Sequence, residues 1–73
     1  MFKWFTNAVE EFKGQSFAIN VNKVIHVHER VQNIEKKGKK TTVKTTILYC
    51  GVNETWEVEE SIEYVVARLN ERD

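Results

Sequence analysis

The sequence predicts a small α+β domain: an antiparallel sheet of four to five strands, a C-terminal amphipathic helix and a short helix at the N-terminus. Three observations predict it. Thr41 to Tyr49 is a threonine-rich, β-branched run that turns at Cys50-Gly51-Val52-Asn53 and returns as Thr55-Trp56-Glu57-Val58, a composition that favours strand over helix. Ser16 to Val21 alternates, with Phe17, Ile19 and Val21 on one side, the period of a half-buried strand. Ile62, Val65, Val66 and Leu69 recur at offsets of three, four and seven, which is one stripe of a helix.

Taken in order, the first dozen residues allow two readings. Phe2, Phe5, Val9 and Phe12 are spaced three, four and three apart, and Asn7 with Glu10 has the form of a capping box, so a short helix is favoured. The alternative lets Val9 to Phe12 enter a strand that turns at Lys13-Gly14-Gln15. After the Ser16 to Val21 strand, Val24 to Ile34 carries two apolar sets, and Glu29 interrupts the set of Ile25, Val27 and Val31. A bulge near Glu29-Arg30 is the expected remedy.

Glu35 to Lys40 places four lysines around Gly38, which marks a solvated hairpin tip where glycine can take a positive φ. In the following strand, Val43, Thr45, Ile47 and Tyr49 share one face and Thr42, Lys44, Thr46 and Leu48 the other. Trp56 and Val58 return on the core side, with Trp56 and Tyr49 expected as core or cross-strand partners. Ser61 precedes the helix, Glu59 and Glu60 stand at its start, and Arg68 and Arg72 stand near its end, as the helix dipole prefers.

The chain has 73 residues, with 41% hydrophobic and 30% charged residues and no proline, which reads as one folded domain spanning residues 1–73. A chain this short buries only about 60% of its unfolded surface, so an efficient core or a second subunit is expected. One cysteine excludes an internal disulfide. Glu10 and Glu11 arrive before any apolar stretch of signal-peptide length, and no window approaches the roughly 18 apolar residues of a membrane span. A cytoplasmic protein is expected, whether cellular or made by a virus inside a cell.

Net charge is zero, yet Met1 to Lys44 holds nine Lys/Arg against four Asp/Glu, and Thr45 to Asp73 holds two against seven. Such asymmetry favours either internal packing of the two parts or contacts between copies.

The segment Phe12-Lys13-Gly14-Gln15-Ser16-Phe17-Ala18-Ile19-Asn20, followed by Lys23-Val24-Ile25-His26-Val27-His28-Glu29, resembles the opening of the FlbD-like swarming motility proteins and their phage-encoded relatives. Ile47-Leu48-Tyr49, then Trp56-Glu57-Val58-Glu59-Glu60-Ser61-Ile62-Glu63-Tyr64-Val65-Val66, resembles that family's second hairpin strand running into its terminal helix. The resemblance covers most of Phe12 to Leu69. The chain departs from the pattern in a segment before Val9, in a lysine-rich insertion at Ile34 to Thr42, and at the Cys50 to Asn53 turn. The resemblance implies an accessory or regulatory role, with no catalytic or cofactor-binding residue to carry over.

Read for chemistry, the residues favour binding over turnover. His26 and His28 lie two apart on a strand, and Cys50 is the one further soft ligand in reach, but a closed zinc site needs four ligands at a recognisable spacing. A solvent-facing or cross-strand polar pair is the expected role of the histidines. Cys50 shows no helix N-terminus or cationic neighbour that would activate it, and is expected as a buried or half-buried small residue. Glu54, Glu57, Glu59, Glu60 and Glu63 are explained by helix-dipole complementarity and solubility. Gly14, Gly38 and Gly51 form no phosphate-binding pattern. No catalytic residue, metal or cofactor is therefore assigned, and an enzyme is not expected.

Two groups remain as interaction candidates. Phe2, Trp4 and Phe5 exceed what one small core absorbs, and point to a protein contact, self-association included, ahead of a domain-swapped arm or a membrane-surface touch. Lys36, Lys37, Lys39 and Lys40, extended by Lys44, suit phosphates and leave nucleic acid as the alternative partner. The expected function is that of a small regulatory or protein-interaction module.

Overall fold

The computed structural model describes residues 1–71. Its elements are β1 (Phe2–Thr6), β2 (Ser16–Asn20), β3 (His26–Lys36), β4 (Lys39–Tyr49), β5 (Thr55–Val58) and α1 (Ile62–Leu69). Single 3-10 turns at Glu10–Phe12 and Val21–Lys23 flank β2. The fold is α+β, with five antiparallel strands in two sheets, β1-β2 and β3-β4-β5, and a C-terminal helix.

The two sheets meet at one seam. Ala8 N–H donates to the Glu57 carbonyl at 2.9 Å, Glu59 N–H donates to the Thr6 carbonyl at 2.9 Å, and Asn7 bridges Val58. The strand order thus runs β2-β1-β5-β4-β3. Phe5, Ile19, Leu48, Val58 and Val65 form the core inside this curl, one from every element except β3, and Phe17, Val24, Val27, Cys50 and Leu69 pack against it. The helix lies on β3 and β4.

The N-terminal dozen is a strand and a 3-10 turn, which corrects the favoured helix. Phe2 and Trp4 face outward while Lys3 and Phe5 face inward, an alternation of period two. Asn7 does not cap a helix; its Oδ1 accepts from Val9 N–H at 2.8 Å and stabilises the exit from β1.

The expected bulge at Glu29-Arg30 is absent. Register is one-to-one from His26↔Tyr49 to Lys36↔Lys39. Every residue of β3 from His28 onward is exposed, so neither face has to stay buried and the pleat runs on without interruption. This ribbon projects from the body and stretches the molecule to 45 × 23 × 21 Å, with a radius of gyration of 13.2 Å against about 11 Å for a compact chain of this length.

At the ribbon tip Lys37 and Gly38 both have positive φ, 52° and 77°, the geometry a two-residue hairpin turn needs to match strand twist. Tyr49 and Trp56 are not partners. Trp56 registers with Leu48, whereas Tyr49 registers with Thr55 on the opposite face. Trp56 meets Phe17 at a centroid distance of 5.5 Å, and Tyr49 stacks on His26 at 4.8 Å.

Ser61 caps α1 through its Oγ, which accepts from Tyr64 N–H at 3.2 Å, satisfying one donor of the first turn. Of the predicted stripe, Val65 is fully buried and Leu69 touches the core, whereas Val66 is exposed. The helix-end role assigned to Arg72 lies outside the described residues.

Candidate interaction surface

The residues chosen from sequence do not form one site. Phe5 is 1% exposed and belongs to the core, which corrects its assignment as an anchor: an interior ring cannot engage a partner. Phe2 and Trp4 are 64% and 63% exposed and share the outer row of β1, opposite Asn20 and Ala18 of β2. They form an apolar patch on the outside of the β1-β2 sheet.

Lys36, Lys37, Lys39 and Lys40 are exposed at the far end of the ribbon. Lys36 faces Lys39 across the hairpin and Lys40 faces Glu35. Among the described residues none of the four takes part in an ion pair, so their charge is directed to solvent. Lys44 is exposed lower on β4, opposite Val31.

His26 and His28 lie 5.7 Å apart, ring centre to ring centre, on the outer face of β3. Cys50 packs toward the core instead, so the three potential ligands do not converge. Among the described residues no group of three or more His, Cys, Asp or Glu is placed to hold a metal ion. Burial pushes the Cys50 thiol above its ordinary value, Glu54 adds to the shift, and Lys23 opposes it; a protonated thiol is a poor nucleophile.

Three acidic residues of the C-terminal part, Glu57, Glu60 and Glu71, serve as structural ties. Glu57 accepts from Arg30 Nη1 at 2.9 Å and from the Thr45 hydroxyl. The Glu60 carboxylate accepts Thr6 N–H at 2.9 Å and the Thr6 hydroxyl at 2.8 Å, while the Glu60 carbonyl accepts the Thr46 hydroxyl at 2.8 Å. Glu71 receives Arg68 and Lys3, the latter at 3.4 Å. The asymmetry of charge is therefore satisfied in part within the chain.

Sequence reasoning missed the edge of β2. A groove of about 480 Å³ runs beside it, lined by Phe17, Ala18, Ile19, Cys50 and Trp56, with Lys23 and Glu54 among its polar residues. The Phe17 and Trp56 contact across the groove joins residues far apart in sequence, and no local pattern in Ser16–Asn20 marks it as a strand edge.

No protein-family model, curated protein or solved structure matches this chain. Among the described residues no helix is long and apolar enough to cross a membrane. The fold and its surface define a small α+β domain.

Proposed function

We propose that this chain is a non-catalytic interaction module that acts by occupying another protein. One observation carries the reading: Phe2 and Trp4 stand about two-thirds exposed, side by side on a regular strand, where burial against a partner would recover the apolar area the fold leaves in water. A regulatory role in the cytoplasm, in a relative of the FlbD-like swarming motility proteins or of their phage-encoded counterparts, belongs to the same proposal. It is supported by where the quoted segments fall: on the turn into β2, the start of β3, the end of β4, and β5 running into a Ser61-capped helix.

Deleting residues 1–5 is not a clean test, because Phe5 leaves the core with them. The double substitution Phe2→Ser/Trp4→Ser removes the patch alone. Affinity capture of the tagged protein from its native cell should lose its partner with this variant while circular dichroism and melting stay as in the parent. Unchanged capture would reject the reading.

A second reading has its own observation. The lysine tip ends a two-stranded ribbon, a shape the DNA major groove admits, and its four ammonium groups are free of internal ion pairs among the described residues. If nucleic acid is the partner, replacing Lys36, Lys37, Lys39 and Lys40 with glutamine eliminates binding to duplex DNA or RNA at low salt, and nuclease treatment empties the capture. No binding by the parent protein at low salt rejects it.

A further inference from the structure

We infer that the chain forms an isologous dimer by antiparallel pairing of β2 with β2 of a second copy, centred on Ala18. The inference rests on the interaction-module reading and names the partner for one surface. It starts from the two open strand edges of the fold, β2 and β3. β3 carries Glu29, Arg30, Glu35 and Lys36 along its length, the charges that ordinarily deter edge pairing. β2 reads Ser-Phe-Ala-Ile-Asn, with no charge and no proline, and has no such protection.

The backbone fixes the register. Val21 N–H donates to the Met1 carbonyl and Asn7 N–H to the Gln15 carbonyl, so the hydrogen-bonded pairs of this hairpin are the odd ones, including Lys3↔Ile19 and Phe5↔Phe17. Antiparallel strands alternate hydrogen-bonded and non-hydrogen-bonded pairs. The N–H and C=O of Ser16, Ala18 and Asn20 therefore point to the free edge, beside the open groove. Pairing two such edges about a two-fold axis at Ala18 sets Ser16 against Asn20 of the partner subunit and Ala18 against its own copy. A closed C2 contact of this kind is self-complementary and brings no like charges together within the paired strands.

The outer face adds the apolar contribution. Trp4 flanks Ala18, and Phe2 flanks Asn20. In the dimer the two Trp4 backbones are three strand spacings apart, about 14 Å, and the small Ala18 side chains leave a trough over which the indoles can approach each other. At their exposure, Phe2 and Trp4 offer roughly 200 to 300 Å² per protomer. The two protomers together offer about 400 to 600 Å² of ring surface, which even with the strand edges stays below a standard specific interface, so association is weak and concentration-dependent.

Three measurements test the inference. Sedimentation equilibrium should show a monomer–dimer equilibrium. Ala18→Lys and Ala18→Asp should each weaken self-association at least tenfold, and an equimolar mixture of the two should form a one-to-one heterodimer. In a Cys50→Ser background, Ala18→Cys should cross-link on mild oxidation far faster than Val52→Cys, although Ala18 is half-buried and Val52 exposed. The paired Cα atoms would be roughly 5.5 Å apart, inside the range a disulfide spans. The cysteine variant is small enough to keep the test decisive should the lysine variant unfold. A monomer at millimolar concentration, or cross-linking at Ala18→Cys no faster than at Val52→Cys, overturns the dimer. If partner capture still depends on Phe2 and Trp4 in that case, the interaction-module reading stands without it.

Discussion

Replacing Glu60 measures how much one carboxylate adds to the seam between the two sheets. Glu60 is partly buried, and its side chain accepts Thr6 N–H through both oxygens, at 2.9 and 3.1 Å, and the Thr6 hydroxyl at 2.8 Å. Hydrogen bonds to a charged group contribute about 1.5 to 3 kcal/mol each when well shielded. Water reaches this site and the three contacts share one acceptor group, so about 1.5 to 2 kcal/mol is expected for Glu60→Ala as a whole. Glu60→Gln keeps one acceptor oxygen for Thr6 N–H and an amide for the hydroxyl, and should cost about half as much. For a chain of this size, 1 kcal/mol shifts the melting temperature by about 4 to 8 °C, which places Glu60→Ala roughly 6 to 16 °C lower. Urea unfolding followed by Trp4 and Trp56 fluorescence measures the free energy directly. Thr6→Val completes a double-mutant cycle that isolates the hydroxyl contact. A loss below about 0.5 kcal/mol for Glu60→Ala, or strict additivity with Thr6→Val, would refute the role assigned to this tie.

Two further outcomes follow from burial. Leu48 is fully buried and Ile47, its neighbour on β4, is half-buried on the opposite face, so Leu48→Ala should cost about 2 to 5 kcal/mol, a large share of the stability of so small a domain. Ile47→Ala should cost no more than about half as much in the same urea titration, and equal losses would contradict the assigned core face. Because the Cys50 pKa is raised on folding, the folded chain holds the thiol proton more tightly than the unfolded one. Stability from this group is therefore present at neutral pH and falls as pH rises above about 8.5. Cys50→Ala should flatten that part of the stability profile, and the native thiol should react with iodoacetamide more slowly than the unfolded chain at pH 8.

The hairpin of β3 and β4, the return strand β5 and the capped helix were legible in the sequence from the β-branched run of Thr41 to Tyr49, the turn residues around Gly38 and Gly51, and the helical stripe of Ile62 to Leu69. β1 was not. Its inward row is Lys3, Phe5 and Asn7 and its outward row begins with Phe2 and Trp4, so polarity runs opposite to the usual strand pattern. The phenylalanine and valine spacing then coincides with a helical stripe. Continuity of the pleat through Glu29 was hidden for another reason: the need for a bulge presumes a buried face, and only the tertiary structure shows the ribbon leaving the body. Of the candidate surface, the lysine tip was legible from Gly38 and its neighbours. The β2 groove was not, since Phe17 and Trp56 meet only after the sheets have joined.

The two proposed contact regions differ in physics, which makes them separable in one experiment. Ties such as Arg30 to Glu57 and Lys3 to Glu71 draw basic and acidic parts of the chain together internally, while the four tip lysines face solvent at the end of the ribbon. Binding through those lysines to a phosphate backbone releases counterions, and its logarithm falls with that of salt concentration by about 0.9 for each phosphate contact with duplex DNA. Pairing of β2 edges relies on backbone hydrogen bonds and on Phe2 and Trp4, none of them charged, so dimerisation should change little over the same salt range. A salt titration of both mass and nucleic-acid binding thus assigns each association to its own end of the molecule. A dimer that dissociates as steeply as a phosphate complex would place the self-contact between the lysine tip and the acidic part of a second copy and remove it from β2.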